Sequence, residues 1–390
     1  MAASTDPLAL ISTSADLPEE ERTMQEMVRA RVAREIRPQI GTWFLEGKLP
    51  LRDIARSFGE MGLLGMQLTG YECAGSSALG YGLACIELEA VDSGLRSFVS
   101  VQGSLAMTAI HSFGSEEQKQ RWLPSMARGE TIGSFGLTEP DFGSNPAGMR
   151  TAARNEGGDW ILNGAKAWIT NASVSDVVIV WARTPDGVRG FIVPSDTPGF
   201  EARALENKLS LRASVTGEIS LTDVRLPADA MLPLVEGLSA PLSCLNEARF
   251  GIIFGSVGAA RDCLETVLRY TCEREVFGKM LSAHQITQVK LADMLVELTK
   301  AYLLALRIAE LKDSGELAPH HISLGKLNNV REALAIARQC RTLLGAAGVT
   351  NDFSPLRHAN NLESVLTYEG TTEVHQLILG QKLTGHTAFR

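Results

Sequence analysis

An α+β fold in three successive parts, helical, then β-rich, then helical, is predicted by three observations. Helix start signals dominate residues 17–130, short β-branched runs punctuated by Gly and Pro fill 133–227, and the helical period returns after Pro241. The parts are read as 1–132, 133–227 and 228–390. The chain has 390 residues, 45% hydrophobic and 21% charged, enough for a large core.

In the first part, Asp16 is placed to cap a helix beginning Leu17, Pro18, Glu19 and Glu20, with Pro and acids where a helix N-terminus favours them. Pro38 is read as its end. Ser115-Glu116-Glu117-Gln118 is a capping-box pattern, and Pro124 is expected to interrupt the helix that follows. In the second part, Val177-Val178-Ile179-Val180-Trp181, Phe191-Ile192-Val193 before Pro194, and the alternating Glu218-Ile219-Ser220-Leu221 read as strands. Asp159-Trp160-Ile161-Leu162 also reads as a strand, and the Asn163-Gly164 after it as a hairpin turn. In the third part, Ile286, Val289, Leu295, Leu298, Leu303 and Leu306 form one apolar stripe in a helix over 283–312. Ser282 and Gln285 are read as its capping box and Ser314-Gly315 as its end. Segments 242–274 and 324–343 read as further long helices, and such a bundle commonly hides extra apolar faces in an oligomer.

Composition narrows the function. A net charge of −8 argues against a nucleic-acid partner, which calls for a basic patch. No apolar run reaches the ~20 residues that span a bilayer. Residues 1–21 carry five acids and no base up to Glu21, unlike a targeting leader, so the expected place is the bacterial cytoplasm, or a mature form that has lost its leader. The six cysteines form no CxxC and no zinc spacing; they are expected to be buried thiols in a reducing compartment, and no metal site is expected. P-loop, GxSxG and HExxH patterns are missing, and Gly80-Tyr81-Gly82-Leu83-Ala84-Cys85 falls short of a dinucleotide fingerprint. On residue type alone, Glu369 reads as a solvated helix-end glutamate and Arg96 as a surface arginine.

Five segments in register change that reading: Phe135 to Pro140 with Gly143-Ser144; Asn163 to Asn171; Arg274 to Gly278; Gln339 with Leu344 to Gly348; and Tyr368 to Thr371. Over about residues 7–386 their order and spacing resemble the acyl-CoA dehydrogenase family. Glu87 to Ser97 is similar to the glutaryl-CoA dehydrogenases within it. The resemblance implies an N-terminal helical domain, a central β-barrel-like domain and a C-terminal four-helix bundle. It also implies FAD bound between the last two, a homotetramer, an acyl-CoA substrate and transfer of electrons to an electron-transfer flavoprotein.

The same resemblance assigns roles. Removing an α-proton and a β-hydride from a thioester needs a base and a hydride acceptor, and no side chain accepts a hydride. Glu369 is the implied base, with Tyr368 and Gly370 beside it against the substrate. Arg96, with Ser97 and Glu89, is the implied grip on a distal carboxylate, a task suited to a permanently charged fork. Arg249 and Ser144 are further implied substrate contacts. The implied flavin contacts are Phe135, Leu137, Thr138, Gly143, Ser144, Trp168, Ile169 and Thr170, then Arg274, Phe277 and Gln285 from a neighbouring subunit, and Gln339, Gly345, Thr371 and Glu373. With Arg96 on a carboxylate, the implied reaction is oxidative decarboxylation of glutaryl-CoA to crotonyl-CoA and CO2. The alternatives are plain dehydrogenation of a short or branched acyl-CoA, and a non-catalytic flavin or acyl-CoA binder on the same scaffold.

Overall fold

The computed structural model describes residues 6–11 and 17–389. The cap expected at Asp16 lies outside them. Acids in the first turn favour the start of α1 (Glu19–Glu35), and a single turn residue, Ile36, separates it from α2 (Arg37–Glu46). Pro38 therefore opens a second helix, where its fixed φ costs nothing, rather than merely closing the first. After α3 (Leu51–Glu60) come α4 (Ala78–Glu89), α5 (Ser93–Val99), a π-helical stretch (Ser100–Met107) and α6 (Thr108–Phe113). The Gly80-Tyr81-Gly82 run lies within α4.

The expected box forms at α7 (Glu116–Ala127): Ser115 Oγ accepts from Gln118 N at 3.3 Å and Ser115 N donates to Gln118 Oε1 at 2.9 Å. Pro124 does not interrupt this helix. It sits in the last turn, and the carbonyl deprived of its bond belongs to exposed Gln120, within reach of water.

The middle part is a curled seven-stranded sheet of β1 (Gly133–Gly136), β2 (Ala152–Glu156), β3 (Asp159–Thr170), β4 (Val177–Thr184), β5 (Gly187–Pro194), β6 (Phe200–Ala204) and β7 (Thr216–Leu226). The order is β1-β4-β2-β3-β7-β6, with β5 on β4; β1 runs parallel to β4 from Gly133 opposite Val177. The hairpin turn falls at Gly157-Gly158, between β2 and β3, and not at Asn163-Gly164. There β3 continues through a bulge. Asn163 Nδ2 donates to Asp223 Oδ1 at 2.9 Å, and the Asp223 amide donates to Asn163 Oδ1 at 2.9 Å. Gly164 has φ +151°, and a Cβ on it would fall 2.5 Å from Thr151 Oγ1. Tertiary contacts hold in a strand a dipeptide whose local preference is a turn.

The last part contains α8 (Ser239–Glu273), a small hairpin of β8 (Glu275–Val276) and β9 (Lys279–Met280), α9 (Gln285–Asp313), α10 (Pro319–Leu343), α11 (Pro355–Thr367) and α12 (Thr372–Thr384). The capping box expected at α9 does not form. Leu281–Ala283 is a 3-10 turn, His284 is extended and serves as N-cap without a side-chain bond, and Gln285 is exposed. The α9 stripe also divides. Leu298 is buried, with Met294, Ala301, Tyr302, Ala305 and Ile308, whereas Ile286, Val289 and Leu303 are exposed along with Val296. The bundle takes the face that carries Met294, Leu298, Ala301, Tyr302, Ala305 and Ile308.

The main core joins α4 and α8: Leu83, Ile86 and Leu88 pack with Phe250, Phe254 and Val257, each side chain contributing about 1.5–3 kcal/mol by burial. Cysteines 85, 244, 263 and 340 are buried free thiols; Cys73 is half-buried and Cys272, in the last turn of α8, is exposed, contrary to the expectation for these two. No helix among the described residues is long and apolar enough to cross a membrane.

Candidate functional site

Helices of the first and last parts, with the connector between α11 and α12, build the site. Asp92 caps α5, accepting from Gly94 N at 2.8 Å, and is itself held by Asn361 Nδ2 at 2.9 Å and Arg357 Nε at 3.2 Å. This anchoring ties α5 to α11 and sets Arg96 one turn in. Arg96 is fully buried. Its Nε donates to Glu89 Oε2 at 2.7 Å, its Nη2 donates to the Tyr368 hydroxyl, and its Nη1 has no partner. Ser93 Oγ donates to Glu89 Oε1 at 2.8 Å. Burial works against the Arg96 charge, but Glu89 and Tyr368 outweigh it and hold the guanidinium well above its ordinary value. Space for this pair comes from α8: a Cβ on Gly255 would lie 2.0 Å from Glu89 Oε2. Ser97 is buried one position on.

Glu369 lies in the four-residue connector (368–371) between α11 and α12, with φ +53°, a conformation that costs a non-glycine residue free energy and persists only where the surroundings impose it. Arg249 Nε donates to its carbonyl at 2.6 Å. The residue keeps some exposed surface, while its Oε2 is shut away with no partner. Burial pushes its carboxyl above the ordinary 4.5, against the pull of Arg96, Lys326 and Arg249. Gly370 follows at φ +99°, where a Cβ would fall 2.8 Å from His375 Nε2. Thr371 caps α12, accepting from Val374 N at 3.4 Å, and Glu373 is exposed in its first turn.

Arg96, Glu89, Tyr368, Glu369, Gly370 and Arg249 thus form one cluster. Arg249, expected against substrate, grips the Glu369 backbone. Two members escaped sequence reading: Lys326, 2% exposed, and His375, 1% exposed. His375 Nδ1 meets Ser323 Oγ at 3.1 Å, and burial, with Lys326 and Arg249 near, pulls the ring down to about 3, so it is neutral. A charged residue four positions after Ile322 and four before Val330, on the buried face of α10, was the available sign of Lys326.

The other expected positions separate into two groups. Phe135 and Leu137 at the end of β1 are buried, Thr138 and Thr170 half-buried, and Ile169 buried. Thr138 and the end of β3 are joined by Ala167 N donating to Thr138 O at 2.9 Å. Below them, buried Lys166 Nζ donates to Leu137 O at 3.1 Å and Glu139 Oε1 at 2.9 Å. Burial alone would raise Glu139, but the Arg150 and Thr151 contacts and Lys166 hold it at about 2. Trp168 is 67% exposed at φ +60°, an outward-facing indole on a constrained backbone. Gly143 and Ser144 are exposed. Arg274 and Phe277 lie on the exposed β8–β9 hairpin, Phe277 95% exposed at its turn, and solvent rather than the Glu369 cluster surrounds them. Gln339 has a buried, unpartnered Nε2, and Gly345 is exposed at φ +60°. An exposed aromatic, half-buried hydroxyls and an unpartnered amide donor fit a planar, hydrogen-bonding flavin. Among the described residues, no group of three or more His, Cys, Asp or Glu could hold a metal ion.

Residues 18–130, 134–224 and 235–384 match the N-terminal, middle and C-terminal domains of acyl-CoA dehydrogenase. The chain is 34% identical over 386 residues to the human mitochondrial short-chain specific acyl-CoA dehydrogenase, covering 96% of this chain and 93% of that protein. Among solved structures, a glutaryl-CoA dehydrogenase from Mycobacterium smegmatis in complex with FADH2 is 62% identical, with TM-score 0.98 over 99% of this chain and 100% of that one. The butyryl-CoA dehydrogenase of Megasphaera elsdenii is 28% identical, with TM-score 0.90 over 94% of this chain and 98% of that one.

Proposed function

The chain belongs to the acyl-CoA dehydrogenase family and is an FAD-dependent enzyme acting on acyl-CoA; from that premise we propose that it oxidises and decarboxylates glutaryl-CoA, giving crotonyl-CoA and CO2. The observation that carries this reading is the buried Arg96 Nη1, a charged donor with no protein partner, close enough to the unpartnered Glu369 carboxyl to feel its charge. A buried guanidinium with a free donor favours an anion, and a five-carbon diacid thioester supplies one at the far end of its chain.

Glu369 takes the α-proton. Its desolvated carboxyl is a stronger base than an exposed one, and the φ +53° backbone fixes its reach. FAD, when bound, supplies the acceptor for the β-hydride. Phe135, Leu137, Thr138, Trp168, Ile169 and Thr170 would border the ring system, and Gly143, Ser144, Gln339, Gly345, Thr371 and Glu373 the remainder. Arg96 holds the distal carboxylate, with Glu89 and Tyr368 fixing the guanidinium and Ser97 able to add a hydrogen bond to the carboxylate. Oxidation leaves that carboxylate on the γ-carbon, next to a double bond conjugated to the thioester. The C–C bond then breaks, CO2 leaves, its electron pair enters a dienolate, and the proton held by Glu369 returns to the γ-carbon. Arg274, Phe277 and Gln285 would reach the flavin of an adjacent subunit, which fits the exposed apolar positions on α9 and a homotetramer. Electrons would leave to an electron-transfer flavoprotein.

Plain dehydrogenation of a short acyl-CoA is the second reading. It is favoured by the pairing of Arg96 with Glu89, which already supplies a counter-charge. Anaerobic mixing with glutaryl-CoA and, separately, butyryl-CoA decides between them, following flavin bleaching and product mass. Crotonyl-CoA with CO2 from glutaryl-CoA supports the first reading; bleaching by butyryl-CoA alone supports the second.

A further inference from the structure

The connector 368–371 is too short for backbone pairing of its own, and the carbonyls of its first three residues are met by buried cations instead. Lys326 Nζ, reaching from α10, donates to Tyr368 O at 2.5 Å and to Gly370 O at 2.5 Å. Arg249 Nε, from α8, donates to the carbonyl between them at 2.6 Å. Three successive carbonyls are thereby pinned from two helices, and the residue in the middle has the strained φ of +53°. The Lys326 ammonium also lies 5.9 Å from the centroid of the Tyr368 ring. Nothing in the chemistry of proton removal or carboxylate binding accounts for an amine only 2% exposed at this place. Burial pulls that amine below its ordinary value while Glu369 holds it up, so retaining it is costly and calls for a return.

We propose that Lys326 is a positioning residue for the base: by bridging the carbonyls on either side of Glu369 it holds that backbone in its left-handed conformation and so aims the carboxyl at the substrate's α-carbon. The inference rests on Glu369 being the base. The amine touches no reacting atom. It acts through the peptide groups of its neighbours, and Arg249 shares the work from the other side. Without the bridge, the connector can relax to negative φ, which turns the Glu369 side chain away while leaving the helices on either side intact.

The experiment uses the FAD-loaded enzyme with its flavin reduced beforehand, so that butyryl-CoA cannot be oxidised. Deuterium entering the α-carbon from D2O then reads proton abstraction alone. Lys326→Met removes both donors; Lys326→Gln restores N–H groups without charge. Lys326→Met is expected to keep its flavin content, thermal midpoint and half-saturating butyryl-CoA concentration while exchange slows about 100-fold, the loss an ångström-scale misplacement produces. Lys326→Gln is expected to regain roughly tenfold of it, because geometry rather than charge is what the bridge supplies. Exchange by Lys326→Met at the wild-type rate, or slowed only in proportion to lost flavin, overturns the inference. So does failure of both variants to yield flavin-loaded protein, which would assign Lys326 to holding the fold. Glu369→Gln run alongside separates the two claims: if it exchanges like wild type, the base assignment itself is lost, whereas a silent Glu369→Gln beside a normal Lys326→Met removes only the role of Lys326.

Discussion

Two buried Arg–Glu pairs start from the same helix, two residues apart, and are built to opposite ends. Glu87 of α4 receives Arg261 Nη1 and Nη2 at 2.8 and 2.6 Å, Arg29 Nε at 3.0 Å and Gln25 Nε2 at 2.7 Å. Its carboxylate is saturated, and it fastens α8 and α1 to α4. Glu89 holds Arg96 by a single nitrogen, and a second nitrogen of that guanidinium has no partner. A closed pair is cement; an open pair beside an unpaired carboxyl is a place for something not yet bound. The lesson is that burial and ion pairing alone do not mark a site. What separates the two is where the unspent donor stands: Arg261 Nε, also without a hydrogen bond, lies 3.4 Å from Glu265 Oε1, whereas Arg96 Nη1 has no second carboxylate in contact and feels the charge of Glu369.

The difference can be attacked from either side. The largest effect is expected at the base. Glu369→Gln should keep flavin and ligand binding and lower kcat by about 10²–10⁴-fold, the usual worth of a general base; turnover within a few-fold of wild type would remove it from that role. On the closed pair, Arg261→Met removes two charge-assisted hydrogen bonds from Glu87, which keeps Arg29 and Gln25, and should cost about 3–5 kcal/mol of stability, measured by denaturant unfolding, with kcat per folded, flavin-loaded molecule unchanged. On the open pair, Arg96→Ala should weaken kcat/KM for glutaryl-CoA by about 2–5 kcal/mol and leave butyryl-CoA far less affected; equal losses on both would end the carboxylate-grip reading. A subtler wedge is Gly255→Ala, whose methyl must displace Glu89. A penalty of about 1–3 kcal/mol is expected, again on glutaryl-CoA before butyryl-CoA, in steady-state kinetics.

Acidity separates the pairs as well. Burial would raise Glu87, but Arg261 and Arg29 bring it down to about 2 from an ordinary 4.5. A depressed carboxyl stabilises the fold above pH 4.5, and that contribution drains away as pH falls from 4.5 towards 2. Glu369 is displaced the other way and must be ionised to take a proton. Activity should therefore climb with pH through a value above 4.5, in a range where the Glu87 contribution to stability is complete. A kcat–pH profile set beside an acid-unfolding curve checks both signs; coincident limbs would mean the two carboxyls are not distinguished.

The order of helical, β and helical parts could be read from the chain because periodicity and capping are local. The box at Ser115 and the strands at Val177 and Phe191 needed no distant partner. Asn163-Gly164 misled because its local preference for a turn is overruled by Asp223 and Thr151, 60 and 12 positions away. Ser282 and Gln285 had the right spacing, but the 3-10 turn between them shifted the helix start. The α9 stripe mixed two faces, since spacing shows which residues align and not which neighbour they meet. The roles expected of Glu369 and Arg96 rest on family likeness; by composition alone both read as ordinary surface charges. Lys326 was missed because its role is set by carbonyls more than forty residues on, contributed by a connector with no periodicity.

Gly255 has a consequence for redesign. The proposed acid-binding end depends on a hydrogen atom facing Glu89 from α8, so a pocket retuned for uncharged chains cannot be reached from Arg96 alone. Stripping the guanidinium leaves a buried carboxylate held only by the Ser93 hydroxyl against a bare helix, whereas replacing Arg96 and Glu89 by apolar side chains and letting residue 255 grow a methyl would refill the vacated volume in one coordinated change.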